Sequence, residues 1–166
     1  AYKFAKNQVA PLNRVGDTEG CKFEDGKVIA PPGFDELFEN FAEMGWLAMN
    51  GSVEYGGQGL PTAMAVSAGS IFTGANCSFS LYSLLTAGVG HVIEHFGNDE
   101  QKNRYLEKMY TGQWGGTMVL TEPTAGSDVG ASITTAEKMD NGQYLIRGPK
   151  IFISSGDHDL TENIVH

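Results

Sequence analysis

The chain has 166 residues, 41% of them hydrophobic and 19% charged, which suits one or two modest domains with a real core and argues against disorder. The 20 acidic residues outnumber the 11 basic ones and give a net charge of −9, so no broad basic face exists to release counterions from nucleic acid or to dock on anionic lipid. Cys21 and Cys77 lie far apart without CxxC spacing and no signal-peptide pattern precedes them, so reduced thiols in a cytoplasmic protein are expected rather than a disulfide scaffold.

The chain opens on Ala1-Tyr2-Lys3-Phe4 without a Met and ends on Asn163-Ile164-Val165-His166 in the middle of a strand-like alternation, which reads as a fragment of something longer. The first clear element is an amphipathic helix over 34–44. Phe34, Leu37, Phe38, Phe41 and Met44 recur at helical spacing, Pro31-Pro32 precede them, Asp35 and Glu36 occupy the first turn, and Gly45 follows.

From Tyr55 to Ile93, 39 residues pass without an Asp, Glu, Lys or Arg, a run expected to be largely buried. Ser, Thr and Gly interrupt it too often for a membrane span. Two packed helices, about 62–75 and 79–96, are the expectation, with small residues allowing close approach and hydroxyls bonding within the helix. Thr62 after Pro61 supplies a start and Gly97 a stop. Asn98 and Gln101 then form a capping pair for a further helix through Tyr105, Leu106 and Met109, closed by Gly112.

After Gly115 the texture changes to short alternating runs at 116–121, 131–139, 142–147, 150–155 and 162–166, with Asn141-Gly142 as a hairpin turn. The expected fold class is therefore α+β: a helical domain over 1–114, then part of an antiparallel β domain over 115–166.

The stretch "TEPTAGSDVG" at 121–130 packs an acid, a proline and small residues into one bend after the apolar run Met118-Val119-Leu120. It is neither of the common phosphate loops. Its bare backbone could approach an anion or a flat ring, with Thr121 as a hydroxyl donor, or it could be a tight turn fixed by Pro123.

Four pieces in order, "YGGQGLP" at 55–61, "FGNDEQKNRYL" at 96–106, "LTEPTAGSD" at 120–128 and "GPKIFISSG" at 148–156, resemble the motifs of the flavin-dependent acyl-CoA dehydrogenase family. The resemblance implies a helical N-terminal domain, a middle β domain and a C-terminal helical bundle, the last absent from these residues. It implies FAD as cofactor, oxidation of acyl-CoA to trans-2-enoyl-CoA, an electron-transfer flavoprotein as electron acceptor, and a homo-oligomer. By the same resemblance Met118, Leu120 and Thr121 meet the flavin edge, and Ser127 touches the flavin phosphate or the CoA arm. Phe152, Ile153 and Ser154 flank the ring, with Phe152 standing where relatives often carry Trp and Ser154 where they often carry Thr. An aromatic wall beside a hydroxyl donor suits a flavin. Residues 79–87, with Ser80 and Leu84, resemble the segment lining the acyl tunnel, although core packing explains them equally. The catalytic base of the family, a Glu of the C-terminal bundle, lies outside this chain. Glu122 is expected to serve a structural partner instead, either a backbone N–H or a cation.

"SSGDHDLTEN" at 154–163 resembles a longer bacterial branch, that of the 3-methylmercaptopropionyl-CoA dehydrogenases, which implies a short or sulfur-bearing acyl-CoA. An acyl-CoA oxidase, a flavin monooxygenase on the same scaffold and a non-catalytic binding module are the alternatives. His91-Val92-Ile93-Glu94-His95 fits an inverted zinc-protease pattern, but no downstream acidic third ligand is evident and no metal is expected. Ser154, Ser155, Asp157, His158 and Asp159 are read as a polar turn, because neighbours on one segment rarely converge as a hydrolase triad and no G-x-S-x-G elbow exists.

Overall fold

The computed structural model describes residues 1–166. A short helix α1 (Tyr2–Phe4) passes through a π turn (Ala5–Val9) and a 3-10 turn (Ala10–Leu12) into α2 (Asn13–Thr18), followed by a hairpin of β1 (Lys22–Glu24) and β2 (Lys27–Ile29). Four helices follow, α3 (Phe34–Glu43), α4 (Thr62–Ala75), α5 (Cys77–Phe96) and α6 (Asp99–Tyr110), then short strands β3 (Trp114–Gly116), β4 (Thr135–Lys138), β5 (Tyr144–Arg147) and β6 (Asn163–Val165).

Aromatic rings organise the helices. Phe34 and Phe41 of α3 meet Phe72 of α4 and Phe79 of α5 edge to face, with centroids 4.9 Å apart for Phe41–Phe72 and 5.5 Å for Phe41–Phe79. All four are buried, and Phe4, Ala5 and Val9 from the N-terminal turns join them. Edge-to-face geometry sets the positive ring edge against the negative ring face, adding to the area each ring buries. This shared core is why α1 and its irregular continuation form without a helical sequence signature.

The helix ends follow from side-chain caps. Asn76 accepts from Phe79 N at 3.1 Å and starts α5 at Cys77, two residues before the expected start. Asn98 and Gln101 close the expected box at α6, each side chain bonded to the other residue's amide at 2.9 Å. The hydroxyls of α5 bond within the helix: Ser80 donates to Asn76 O, Ser83 to Ser80 O and Thr86 to Tyr82 O.

Two expectations about the uncharged stretch are corrected. Its residues are only partly buried, with Met64, Val66, Leu84 and Val92 exposed. Among the glycines inside α4 and α5, close approach is confined to Gly90, where an added Cβ would come within 2.5 Å of the Tyr110 ring, while at Gly69, Gly74 and Gly88 it would meet nothing within 4 Å.

The strands also differ in detail. β4 and β5 form an antiparallel hairpin whose turn carries Asn141, with its side chain accepting from Gln143 N, and Gly142 at φ +81°. β3 and β6 pair in parallel, Trp114 opposite Asn163 and Gly116 opposite Val165, rather than antiparallel. Residues 117–121 and 150–155 are not ladder strands, and they share the single backbone bond Ile151 N to Thr121 O. The left-handed backbone of Phe152 (φ +58°) and Ser155 (φ +55°) interrupts the extended run that a ladder needs.

Candidate functional site

The site is built outward from α5. Its buried Thr86 donates to Tyr82 O and accepts the Gly116 amide at 3.1 Å, pinning the end of β3 to the helix. Only glycine fits at 116, since a Cβ there would lie 2.8 Å from Met109 Cε and 2.9 Å from Val89 Cβ. The chain leaves β3 with Thr117, whose amide bonds Val165 O at 2.9 Å and whose hydroxyl donates to Ser154 O at 2.6 Å. Four residues on, Thr121 O accepts from Ile151 N at 3.0 Å. The strips 117–121 and 150–154 are thus tied side by side at both ends.

A buried ion pair locks one end of this arrangement. Glu122, 2% exposed, takes Lys150 Nζ at 2.8 Å, Ile133 N at 2.7 Å and Thr134 N at 3.1 Å, while the same ammonium reaches Leu120 O at 3.1 Å. The Lys150 ammonium, with the Ile133 and Thr134 amides, holds the Glu122 carboxyl down at about 2, so it stays ionised. Glu122 also pairs with Ala125 through two backbone bonds, closing a tight turn over Pro123-Thr124 just before Ser127. This is the structural role expected of Glu122. Nothing local in the sequence assigns roles to Lys150 and Thr117; the one available signal is an acid inside the motif at 120–128 and a base inside the motif at 148–156.

The joined strips present apolar side chains outward. Met118 is 64% exposed, Leu120 is exposed and Phe152 is 84% exposed, with Thr121 and Ser154 beside them and Ile153 half-buried. Phe152 holds its left-handed backbone although a bulky residue there is strained, and such strain gathers at ligand sites. An exposed aromatic and apolar edge next to hydroxyls and bare turn backbone has the donor and wall chemistry that a flat heteroaromatic group requires, so the residues fit FAD. Ser127 sits on the adjoining exposed loop.

Ser80 and Leu84 fall elsewhere on α5. They line a cavity of about 650 Å³ between α4 and α5, walled also by Phe72, Ala65, Ala87 and Gly88. Ser70, Ser80 and Ser83 of this wall donate to carbonyls of their own helices, leaving a largely apolar lining.

The other polar groupings are occupied structurally. Glu94 accepts from Tyr110 OH and from Ser52 N, and His95 Nδ1 contacts His91 O at 2.8 Å; no three His, Cys, Asp or Glu side chains gather to hold a metal. His158 is buried with its ring edge on to Tyr82 and its Nδ1 accepting Leu160 N, and burial lowers its pKa against the opposing pull of Asp159 and Asp157. Asp159 accepts Ala30 N at 2.8 Å, so no Ser–His–Asp line forms. No helix is long and apolar enough to cross a membrane.

Comparison with known proteins gives the family. Residues 1–113 match the family described as acyl-CoA dehydrogenase, N-terminal domain. A 3-methylmercaptopropionyl-CoA dehydrogenase of Ruegeria pomeroyi is 46% identical over 99% of this chain and 28% of its own length. A butyryl-CoA dehydrogenase of Syntrophomonas wolfei is 41% identical over the same shares. The crystal structure of an acyl-CoA dehydrogenase complexed with FAD from Bacillus anthracis superposes with a TM-score of 0.74 at 28% identity, over 92% of this chain and 25% of that one. The chain thus spans about 28% of the length of the curated relatives it matches. With its helices, its two clasped strips and these matches taken together, the chain belongs to the acyl-CoA dehydrogenase family.

Proposed function

We propose that this chain supplies the helical domain and the flavin-facing edge of an FAD-dependent acyl-CoA dehydrogenase that oxidises acyl-CoA to trans-2-enoyl-CoA. The observation that carries the reading is the clasp of 117–121 against 150–154, with Met118, Leu120 and Phe152 facing outward from it. FAD, when bound, supplies the two-electron acceptor. In this reading the division falls near Trp114, with helices over 1–114 and the β portion over 115–166.

The chain's own residues bind and orient. Thr121 and Ser154 offer hydroxyl donors to the ring edge, Met118, Leu120, Phe152 and Ile153 wall it from water, and Ser127 meets phosphate or the CoA arm. The α4/α5 cavity, with Ser80 and Leu84, takes the acyl tail. Glu122 takes no part in proton abstraction, because Lys150 and two amides occupy its oxygens and lower its basicity. The proton-abstracting carboxylate is assigned to the portion of the family fold beyond these residues.

Similarity to the Ruegeria and Syntrophomonas enzymes supports a short acyl-CoA, sulfur-bearing ones included. An electron-transfer flavoprotein as acceptor, homo-oligomeric assembly and a cytoplasmic location complete the proposal; the free thiols of Cys21 and Cys77 accord with the last. The test is to purify the full-length protein and add acyl-CoA without oxygen. The expected result is a yellow protein whose flavin absorbance bleaches with short acyl-CoA and recovers with electron-transfer flavoprotein. Protein that stays colourless after added FAD would identify a non-catalytic binding module, and rapid recovery with oxygen alone an oxidase.

A further inference from the structure

Glycine inside a helix lowers stability relative to alanine, so each one calls for a reason. Gly90 of α5 has one, the Tyr110 ring against its Cα face. Gly69 of α4 and Gly88 of α5 have no such packing reason, for an added Cβ at either would meet no atom within 4 Å. Both line the same cavity of about 650 Å³. Gly74 is equally open but is not part of that wall and lies one residue from the end of α4.

We propose that Gly69 and Gly88 are the specificity-determining residues of this cavity: one bare Cα on each helix fixes how long or bulky an acyl tail the site accepts. The inference rests on the reading of the cavity as the acyl site, though not on the short-acyl part of that reading. Its physical content is volume. A side chain at either position would meet no neighbour and would take up space at the cavity wall, and the hydroxyls of Ser70, Ser80 and Ser83 in that wall are already bonded to their own helices, so the space they leave suits hydrocarbon.

The test uses the full-length protein with Gly69→Leu, Gly88→Leu and the two alanine variants. The ratio of kcat/KM for the longest accepted straight-chain acyl-CoA to that for the shortest should fall about tenfold or more in each leucine variant, the scale on which one misfitting methylene discriminates. Alanine should move the ratio the same way by less while raising Tm, which covers the case of a leucine variant that fails to fold. An unchanged ratio in all four variants overturns the proposal, as does a loss uniform across chain lengths. Binding of a fluorescent fatty acid separates this from the functional reading. If the wild type oxidises no acyl-CoA, the dehydrogenase reading fails, yet tight binding of the fatty acid that the substitutions weaken still supports the glycines. No binding by the wild type, or binding that all four variants retain, overturns them.

Discussion

Glu122 and Lys150 show how a charged pair can serve a site without doing chemistry in it. An ionised carboxylate with no solvent around it persists only when every oxygen is engaged, and here one ammonium and two amides do so. Because its folded-state value lies below the ordinary 4.5, the pair's contribution to stability is fully present above 4.5 and is lost as pH falls towards about 2. Glu122→Gln should therefore lower Tm at neutral pH and flatten the loss of stability between those two values, as read by thermal melts across pH; parallel curves for variant and wild type would contradict the assignment. Thr121 and Ser154 are tested in the full-length protein. Each loses one neutral donor on substitution by Ala, worth about 1 kcal/mol, so FAD should bind about fivefold more weakly to each variant in a fluorescence titration. The motifs located both hydroxyls in the sequence, whereas the partner that anchors Ser154, the Thr117 hydroxyl, is set by a contact across 37 positions that no local pattern reports.

At the scale of elements, α5 does two jobs from one face, about two turns apart. Phe79 enters the aromatic core with Phe34 and Phe41, so Phe79→Ala should cost about 3–5 kcal/mol in chemical denaturation. Thr86 carries β3, and Thr86→Val keeps the shape but leaves the buried Gly116 amide without its acceptor, a loss of about 1–3 kcal/mol concentrated in hydrogen-exchange protection at 114–117. Helices α3 to α6 were legible because their caps and apolar spacing are local: Asn98 with Gln101, and the Phe34, Leu37, Phe38, Phe41 series. The segment Tyr2–Thr18 was not, since Pro11 and a π turn obscure any period and burial of Phe4 and Val9 against α3 and α4 decides its course. The hairpin at Asp25-Gly26 was overlooked, although both residues take positive φ and that dipeptide is a turn signal.

Across the whole molecule, the parallel pairing of β3 with β6 joins residues 114–116 to 163–165, and only assembly of the full chain dictates it. The alternation at 116–121 and 150–155 suggested ladder strands, yet these segments serve as two clasped strips, with left-handed turns at Phe152 and Ser155 in place of a ladder. In the proposed reading, such departures from regular pairing, together with the outward Met118, Leu120 and Phe152, form the edge that meets the flavin. The most direct test is a structure of the full-length protein with FAD bound. The account predicts the isoalloxazine ring in contact with both strips, within hydrogen-bond reach of Thr121 and Ser154; a ring seated away from either strip would contradict it.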